Sequence, residues 1–358
     1  MNKHVTHLIV GLDAGGAELA LYRLAQEQVK EGWAVQVIYL KSSAKTLVPD
    51  FEASNIPVMH IGTVPQIAEE LKRVLTDKKP HVLHTHLFYA DSLGWMLRGL
   101  LGLPWVATLH STFDFHTGSA SREAISKRLY PRADALFAVS DEVAQSFQHA
   151  CKLDNVAVIA NPVAKEFFET TTPKNGTKTK RLLQIGRLAP EKQFDWGIKA
   201  LHELPANYHL TIAGTGPLEE ELQALTKDLQ LTQRITFTGL QKNPLALYLA
   251  ADCVLLPSSH EGLPLVALEA IATQTPVLAQ PVGGLHSLLE NSPIPAQPMQ
   301  NETDMALAIK TLLDSPMQLE AWNKWSAQAR DQFATKSITL KYIHHYQVVL
   351  DSHHQRDT

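Results

Sequence analysis

Short apolar runs alternate with amphipathic stretches along almost all of the 358 residues. The runs at 4–10, 34–40, 56–60, 81–85, 105–109, 135–139 and 156–159 are rich in Val, Ile and Leu. That composition predicts parallel strands covered on both faces. Helical segments lie between them; in 17–30, Leu19, Leu21, Leu24 and Val29 interleave with polar residues. The rhythm stops at 169–180, a polar stretch with Pro173 and Gly176 and no apolar period, which reads as an interdomain linker. A second series then starts, with strands at 181–185, 209–213, 235–237, 253–256 and 276–279. Its helices fall at 194–204, 218–229, 264–273 and 303–314, and a last helix is predicted over 337–350.

Strands alternating with helices predict an α/β protein of two Rossmann-like, doubly wound lobes facing across a cleft. In such open sheets ligands lie beyond the carboxyl ends of the strands, so chemistry is expected in the loops that follow them.

Composition narrows the class. Hydrophobic residues make up 45% and charged residues 19%, and the formal charge is -4, so the whole chain gives no reason to expect a nucleic-acid partner. Between 72 and 132, however, nine basic residues (Lys72, Arg73, Lys78, Lys79, Arg98, Arg122, Lys127, Arg128, Arg132) face four acids (Asp77, Asp91, Asp114, Glu123). That local excess suits anionic headgroups at the inner membrane face, although such charge runs more commonly form a solvated surface. Two cysteines, Cys151 and Cys253, fit a reducing, cytoplasmic setting and exclude a disulfide scaffold. No charged leader with a cleavage site precedes the first strand, and no apolar stretch approaches the length of a membrane span.

The first strand ends in Gly11, and Gly15-Gly16-Ala17-Glu18 opens the next helix; adjacent glycines allow close backbone approach and a helix start suits an anion. Glycines at 11, 15 and 16 do not make the dinucleotide fingerprint. The first strand of the second lobe leads into Gly186-Arg187 and Lys192, two cations able to reach one diphosphate. The next ends in Gly214-Thr215-Gly216-Pro217. After 253–256 come Glu261, Gly262 and Glu269, the last in a helix that begins near Pro264. Ionised carboxylates accept sugar hydroxyls, and the helix start between them suits a phosphate. Taken alone, Glu261 reads as well as a cap and Glu269 as a solvated position. His84 and His86 flank Thr85 after another strand but lack a convincing third metal partner, so no metal is expected.

In order and spacing, Gly186-Arg187…Lys192, Gly214-Thr215-Gly216-Pro217 and Glu261…Glu269 resemble the retaining glycosyltransferases of family four, of GT-B fold. Further matches are Gly15-Gly16-Ala17-Glu18, Thr108-Leu109-His110, Ala138-Val139-Ser140 and Asn161-Pro162-Val163, so the resemblance covers nearly the whole chain. It implies an acceptor-binding domain at 1–168, a linker at 169–180 and a donor-binding domain at 181–335, with a helix at 336–352 packing back on the first domain. It further implies that Arg187 and Lys192 hold the donor diphosphate. Glu261 would take the sugar hydroxyls and Glu269 the ribose. The amides of Leu265 and Val266 would face phosphate, and Leu240 would lie near the base. Gly15-Gly16 would close over the donor, and His110 would lie near the reacting sugar. The donor's own phosphate would assist the incoming hydroxyl, so no protein nucleophile and no cofactor are required.

The expected function is transfer of a hexosyl or N-acetylhexosaminyl group from a nucleotide-diphosphate sugar, UDP-linked by family frequency. The expected acceptor is a saccharide or lipid-linked molecule of cell-surface polysaccharide or lipopolysaccharide synthesis. The rival readings are a nucleotide-sugar epimerase of the same fold and a non-catalytic sugar-nucleotide-binding partner subunit; an NAD oxidoreductase lacks its fingerprint.

Overall fold

The structure is a computed structural model that describes residues 3–41, 46–62, 66–169 and 179–356. The expected linker at 169–180 falls almost wholly outside the described residues. The chain divides into two compact units, Met1–Pro162 with Thr335–Thr358, and Val163–Ala334.

The first unit is built on seven strands: β1 (His4–Gly11), β2 (Ala34–Lys41), β3 (Val58–His60), β4 (Val82–His86), β5 (Trp105–Leu109), β6 (Ala135–Ala138) and β7 (Ala157–Val158). They form one parallel sheet in the order β3-β2-β1-β4-β5-β6-β7. Both faces are covered; every residue of β4 and β5 is buried. β3 starts two residues later than its apolar run because Pro57 has no N–H to give the ladder.

The C-terminal helix Thr335–Arg356 belongs to this unit. Its Ile338, Tyr342, Tyr346, Val349 and Leu350 join Leu21, Leu24, Val35 and Val37 in one buried cluster.

The second unit carries β8 (Lys180–Ile185), β9 (Tyr208–Ala213), β10 (Ile235–Gly239), β11 (Cys253–Leu256) and β12 (Val277–Ala279), parallel in the order β10-β9-β8-β11-β12. In each sheet the strand order reverses direction at one place, between β1 and β4 in the first and between β8 and β11 in the second. Connections leave to opposite sides there, which opens a crevice at the carboxyl ends of those two strands.

Close packing fixes the helices on these sheets. In the helix Phe88–Leu101, Gly94 sits so near the indole of Trp105 that an added Cβ would lie 2.5 Å from its Nε1. The same indole donates to Thr85 Oγ1 (2.8 Å), and Thr85 donates to the buried Asp91 (2.7 Å). Gly94→Ala is therefore expected to cost about 1–3 kcal/mol by overpacking. Gly99 on the same helix has nothing within 4 Å of an added Cβ. Gly99→Ala should gain about 0.5–1 kcal/mol from lost chain freedom. Urea unfolding of the two variants checks the contrast; equal effects would contradict the contact.

Candidate functional site

At the switch point of the second unit, backbone meets backbone. After β8 the chain passes Gly186, at φ +151, and after β9 it passes Gly214, at φ +136. A Cβ on Gly214 would lie 1.8 Å from the carbonyl oxygen of Gly186, and one on Gly216 would lie 2.3 Å from that of Leu188. Amide bonds from Leu188 to Thr215 (3.0 Å) and from Leu218 to Leu188 (3.0 Å) lock the two turns together. Only glycine fits there.

The loop after β8 then forms a short 3-10 turn, Pro190–Lys192, which is tied to the loop after β11: the amide of Ser259 donates to the Glu191 carbonyl at 2.9 Å. Across this tie Lys192 Nζ donates to both carboxylate oxygens of Glu261, at 2.7 and 2.8 Å. The Glu261 side chain is 6% exposed and the Lys192 side chain 25%. Its backbone is held as firmly, since a Cβ on Gly283, at φ +50, would lie 1.8 Å from the Glu261 carbonyl. The Gly284 amide donates to the Gly262 carbonyl at 2.7 Å.

The helix Leu265–Ala272 starts directly after this loop, so the first-turn amides of Leu265 and Val266 have no intrahelical acceptor. Glu269 in that helix is 3% exposed and accepts a 2.8 Å bond from the hydroxyl of Tyr248. It is not a solvated helix position, and Glu261 is an ion-paired loop carboxylate. Arg187 stands apart: its guanidinium pairs with Glu191 at 2.6 Å, and its side chain is 68% exposed. Leu240, just past Gly239 at the end of β10, is 40% exposed. The second unit thus brings Gly186, Lys192, Gly214, Gly216, Glu261, Gly262, Leu265 and Glu269 to the carboxyl ends of β8, β9 and β11, with Arg187, Val266 and Leu240 beside them.

In the first unit, Gly15 caps the helix Gly16–Lys30, and the space over Gly16 is open to 4 Å. His110 follows β5, two strands away in the same sheet. Its Nε2 lies 3.2 Å from Nδ1 of His86, whose Nε2 lies 3.1 Å from Nδ1 of His7. Burial pushes His110 down to about 3, with His116 adding to the shift, and pushes His7 down to about 4. His84 and His86 are held well below the usual histidine range by burial and by neighbouring imidazoles. All four are neutral near pH 7. Leu87, directly after His86, sits at φ +73, a conformation that costs a branched residue about 1–3 kcal/mol.

His7 corrects one expectation. His84 and His86 do have a third histidine, and the three offer ligand atoms within 4.8 Å of one another. Residues two apart in a strand share a face, so His84 and His86 signalled a cluster; His7 stays invisible until β1 is set beside β4, where it falls opposite His84. Tyr248 and Gly283 also escaped sequence reading, because each reaches the site from another element. The basic stretch of the first unit is weaker than its count. Arg73 pairs with Glu70, Lys78 with Asp77, Arg98 with Asp134 and Lys127 with Glu123.

Two family descriptions match in succession: "Glycosyltransferase Family 4" over residues 14–167 and "Glycosyl transferases group 1" over residues 167–332. A glycogen synthase of Mycobacterium tuberculosis is 27% identical, covering 96% of this chain and 87% of its own. A D-inositol 3-phosphate glycosyltransferase of Corynebacterium diphtheriae is 28% identical over 76% of this chain and 75% of its own. The solved structure of Anabaena Alr3699/HepE in complex with UDP-glucose matches with a TM-score of 0.84 at 20% identity, covering 98% of this chain and 99% of that one.

Removing one partner of a buried ion pair strands the other charge, at a cost of about 3–5 kcal/mol. Lys192 keeps some solvent access, so Lys192→Met should lose about 2–3 kcal/mol of stability. Lys192→Met with Glu261→Gln should recover most of that loss, because no charge is left unpaired. Chemical denaturation of the single and double variants measures this, and a double variant no better than the single would contradict the pairing.

Proposed function

Because the chain belongs to the group 1 glycosyltransferases, we propose that it moves a hexosyl or N-acetylhexosaminyl group from a UDP-linked donor to a saccharide or lipid-linked acceptor, with retention at the anomeric carbon. The observation that carries this reading is the Lys192–Glu261 pair at the β8/β11 switch point, a cation and a carboxylate side by side above two glycine turns. One ligand with a diphosphate next to a polyhydroxylated ring offers a partner to each.

On donor binding Lys192 turns to the diphosphate as a point charge, and Glu261, freed of it, accepts from the sugar hydroxyls. Arg187 exchanges Glu191 for phosphate oxygens, and the amides of Leu265 and Val266 add fixed donors. The buried Glu269, steadied by Tyr248, accepts from the ribose. Leu240 lies against the base. The bond from the anomeric carbon to the β-phosphate oxygen breaks while the acceptor oxygen bonds to the same face. The acceptor's proton passes to the departing phosphate. The enzyme's part is positioning and neutralising the leaving charge, and Lys192 and Arg187 supply the cations.

The UDP assignment draws on the Anabaena protein, which binds UDP-glucose. The acceptor remains the broader class, because the relatives are named for glycogen and for D-inositol 3-phosphate. A role in cell-surface polysaccharide or lipopolysaccharide synthesis fits that class and belongs to the same proposal.

Thermal unfolding with UDP, GDP, ADP, dTDP or CMP tests the donor site. UDP at a hundred times its Kd stabilises by about 2.7 kcal/mol, and the others should do markedly less. Arg187→Ala removes an exposed side chain, so it should leave the unliganded midpoint unchanged and abolish most of the UDP shift. A shift produced equally by all five, or one that survives Arg187→Ala, would contradict the assignment.

A further inference from the structure

Beneath His110 lies a continuous run of buried polar side chains, all within the first unit. From His110 it passes through His86 to His7, whose Nε2 lies 2.8 Å from Oε1 of Gln28. Gln28 Nε2 donates to the Tyr346 hydroxyl at 3.2 Å, and that hydroxyl lies 2.6 Å from Nδ1 of His84. His84 Nε2 lies 2.7 Å from Thr108 Oγ1, which lies 3.3 Å from the Tyr342 hydroxyl. Gln28 comes from the helix Gly16–Lys30 and Tyr346 from the C-terminal helix, two helices that pack together over one face of the sheet.

With the Gln28 amide in the orientation the structure shows, proton counting gives the run one direction. A neutral imidazole has one N–H and one bare nitrogen. Gln28 presents its amide N–H to Tyr346, so its oxygen must accept, and His7 carries its proton on Nε2. His7 Nδ1 is then bare and accepts from His86 Nε2. His86 Nδ1 is bare in turn and accepts from His110 Nε2. On the other side Tyr346, having accepted from Gln28, donates to His84 Nδ1, and His84 donates from Nε2 to Thr108. Each hydrogen bond of the run then has one donor and one acceptor, and burial keeps the imidazoles neutral, as the counting requires.

We infer that His7, His86, Gln28 and Tyr346 are positioning residues that hold His110 in the Nε2–H tautomer, leaving its Nδ1 bare to accept a hydrogen bond from a sugar hydroxyl. The sugar's part in this rests on the glycosyl-transfer reading; the tautomer does not. A bare Nδ1 gives the first unit an uncharged acceptor, which selects a hydroxyl and offers nothing to phosphate.

His7, His84 and His86 could instead hold a metal ion. The directed run disfavours this, because their bare nitrogens already accept from His86, Tyr346 and His110 respectively, and an ion would break all three bonds.

The test is a long-range proton–nitrogen NMR spectrum of the full-length protein labelled with ¹⁵N-histidine, without ligand, with His110 assigned by its loss in His110→Gln. The expected result is a single Nε2–H tautomer for His110, His86, His7 and His84. His86→Leu, which offers no acceptor, should let His110 populate both tautomers. His86→Gln can still accept from His110 and donate to His7, and should restore the single form. Should either variant fail to fold, the wild-type spectrum decides. An Nδ1–H tautomer, or a mixture, at His110 overturns the inference. So does one equivalent of zinc or another transition metal in the purified protein that is lost in His7→Gln. None of these readouts depends on turnover, so failure of the glycosyl-transfer reading would show separately.

Discussion

The ion pair between Lys192 and Glu261 is the constraint on which the second unit's site depends. A carboxylate that is 6% exposed is costly unless it is paired or hydrogen-bonded, and Lys192 supplies both. The loops after β8 and β11 deliver the two groups, from adjacent strands at the point where the sheet order reverses. Everything nearby serves that meeting. Gly186, Gly214 and Gly216 let the β8 and β9 turns pack backbone to backbone, and Gly283 lets a third segment press on the Glu261 carbonyl. The pair is also incomplete in a useful way, because Lys192 keeps a quarter of its side chain in solvent and can be drawn toward an incoming anion. An ion pair closed on all sides would be stable and inert.

The first unit solves a different electrostatic problem. At its own reversal point, between β1 and β4, it buries imidazoles whose hydrogen-bond partners are uncharged side chains. Burial drives them neutral, and hydrogen bonding to Gln28 and Tyr346 satisfies them without ionisation. One unit therefore offers fixed charges suited to a diphosphate, and the other an uncharged hydrogen-bonding surface suited to hydroxyls.

Much of this was legible in the sequence, and the misses have one cause. Strands such as Trp105–Leu109 and Cys253–Leu256 stood out because burial on both faces leaves an unbroken apolar run. Lys192, Glu261 and the glycine turns were legible because they lie next to those strand ends. Glu269 was ambiguous, since a helix carboxylate is solvated or buried according to what covers it, and Tyr248 comes from a separate helix. His7 looked like one polar residue in an apolar strand. Its meaning depends on β1 lying beside β4, some 75 residues on, and on a glutamine and two tyrosines from two helices. Pairings between distant segments are what local pattern does not contain.

The most direct test of the account is the fate of the anomeric carbon. Purified enzyme, incubated with UDP-glucose, UDP-galactose or UDP-N-acetylglucosamine and a panel of saccharide acceptors, is followed by proton NMR. The account predicts UDP release from at least one donor and a new glycoside with the α configuration of that donor. Lys192→Met should release none. A β product would contradict same-face transfer. Absence of UDP release from all three donors, in protein that is folded, would contradict the donor assignment to the Lys192–Glu261 site.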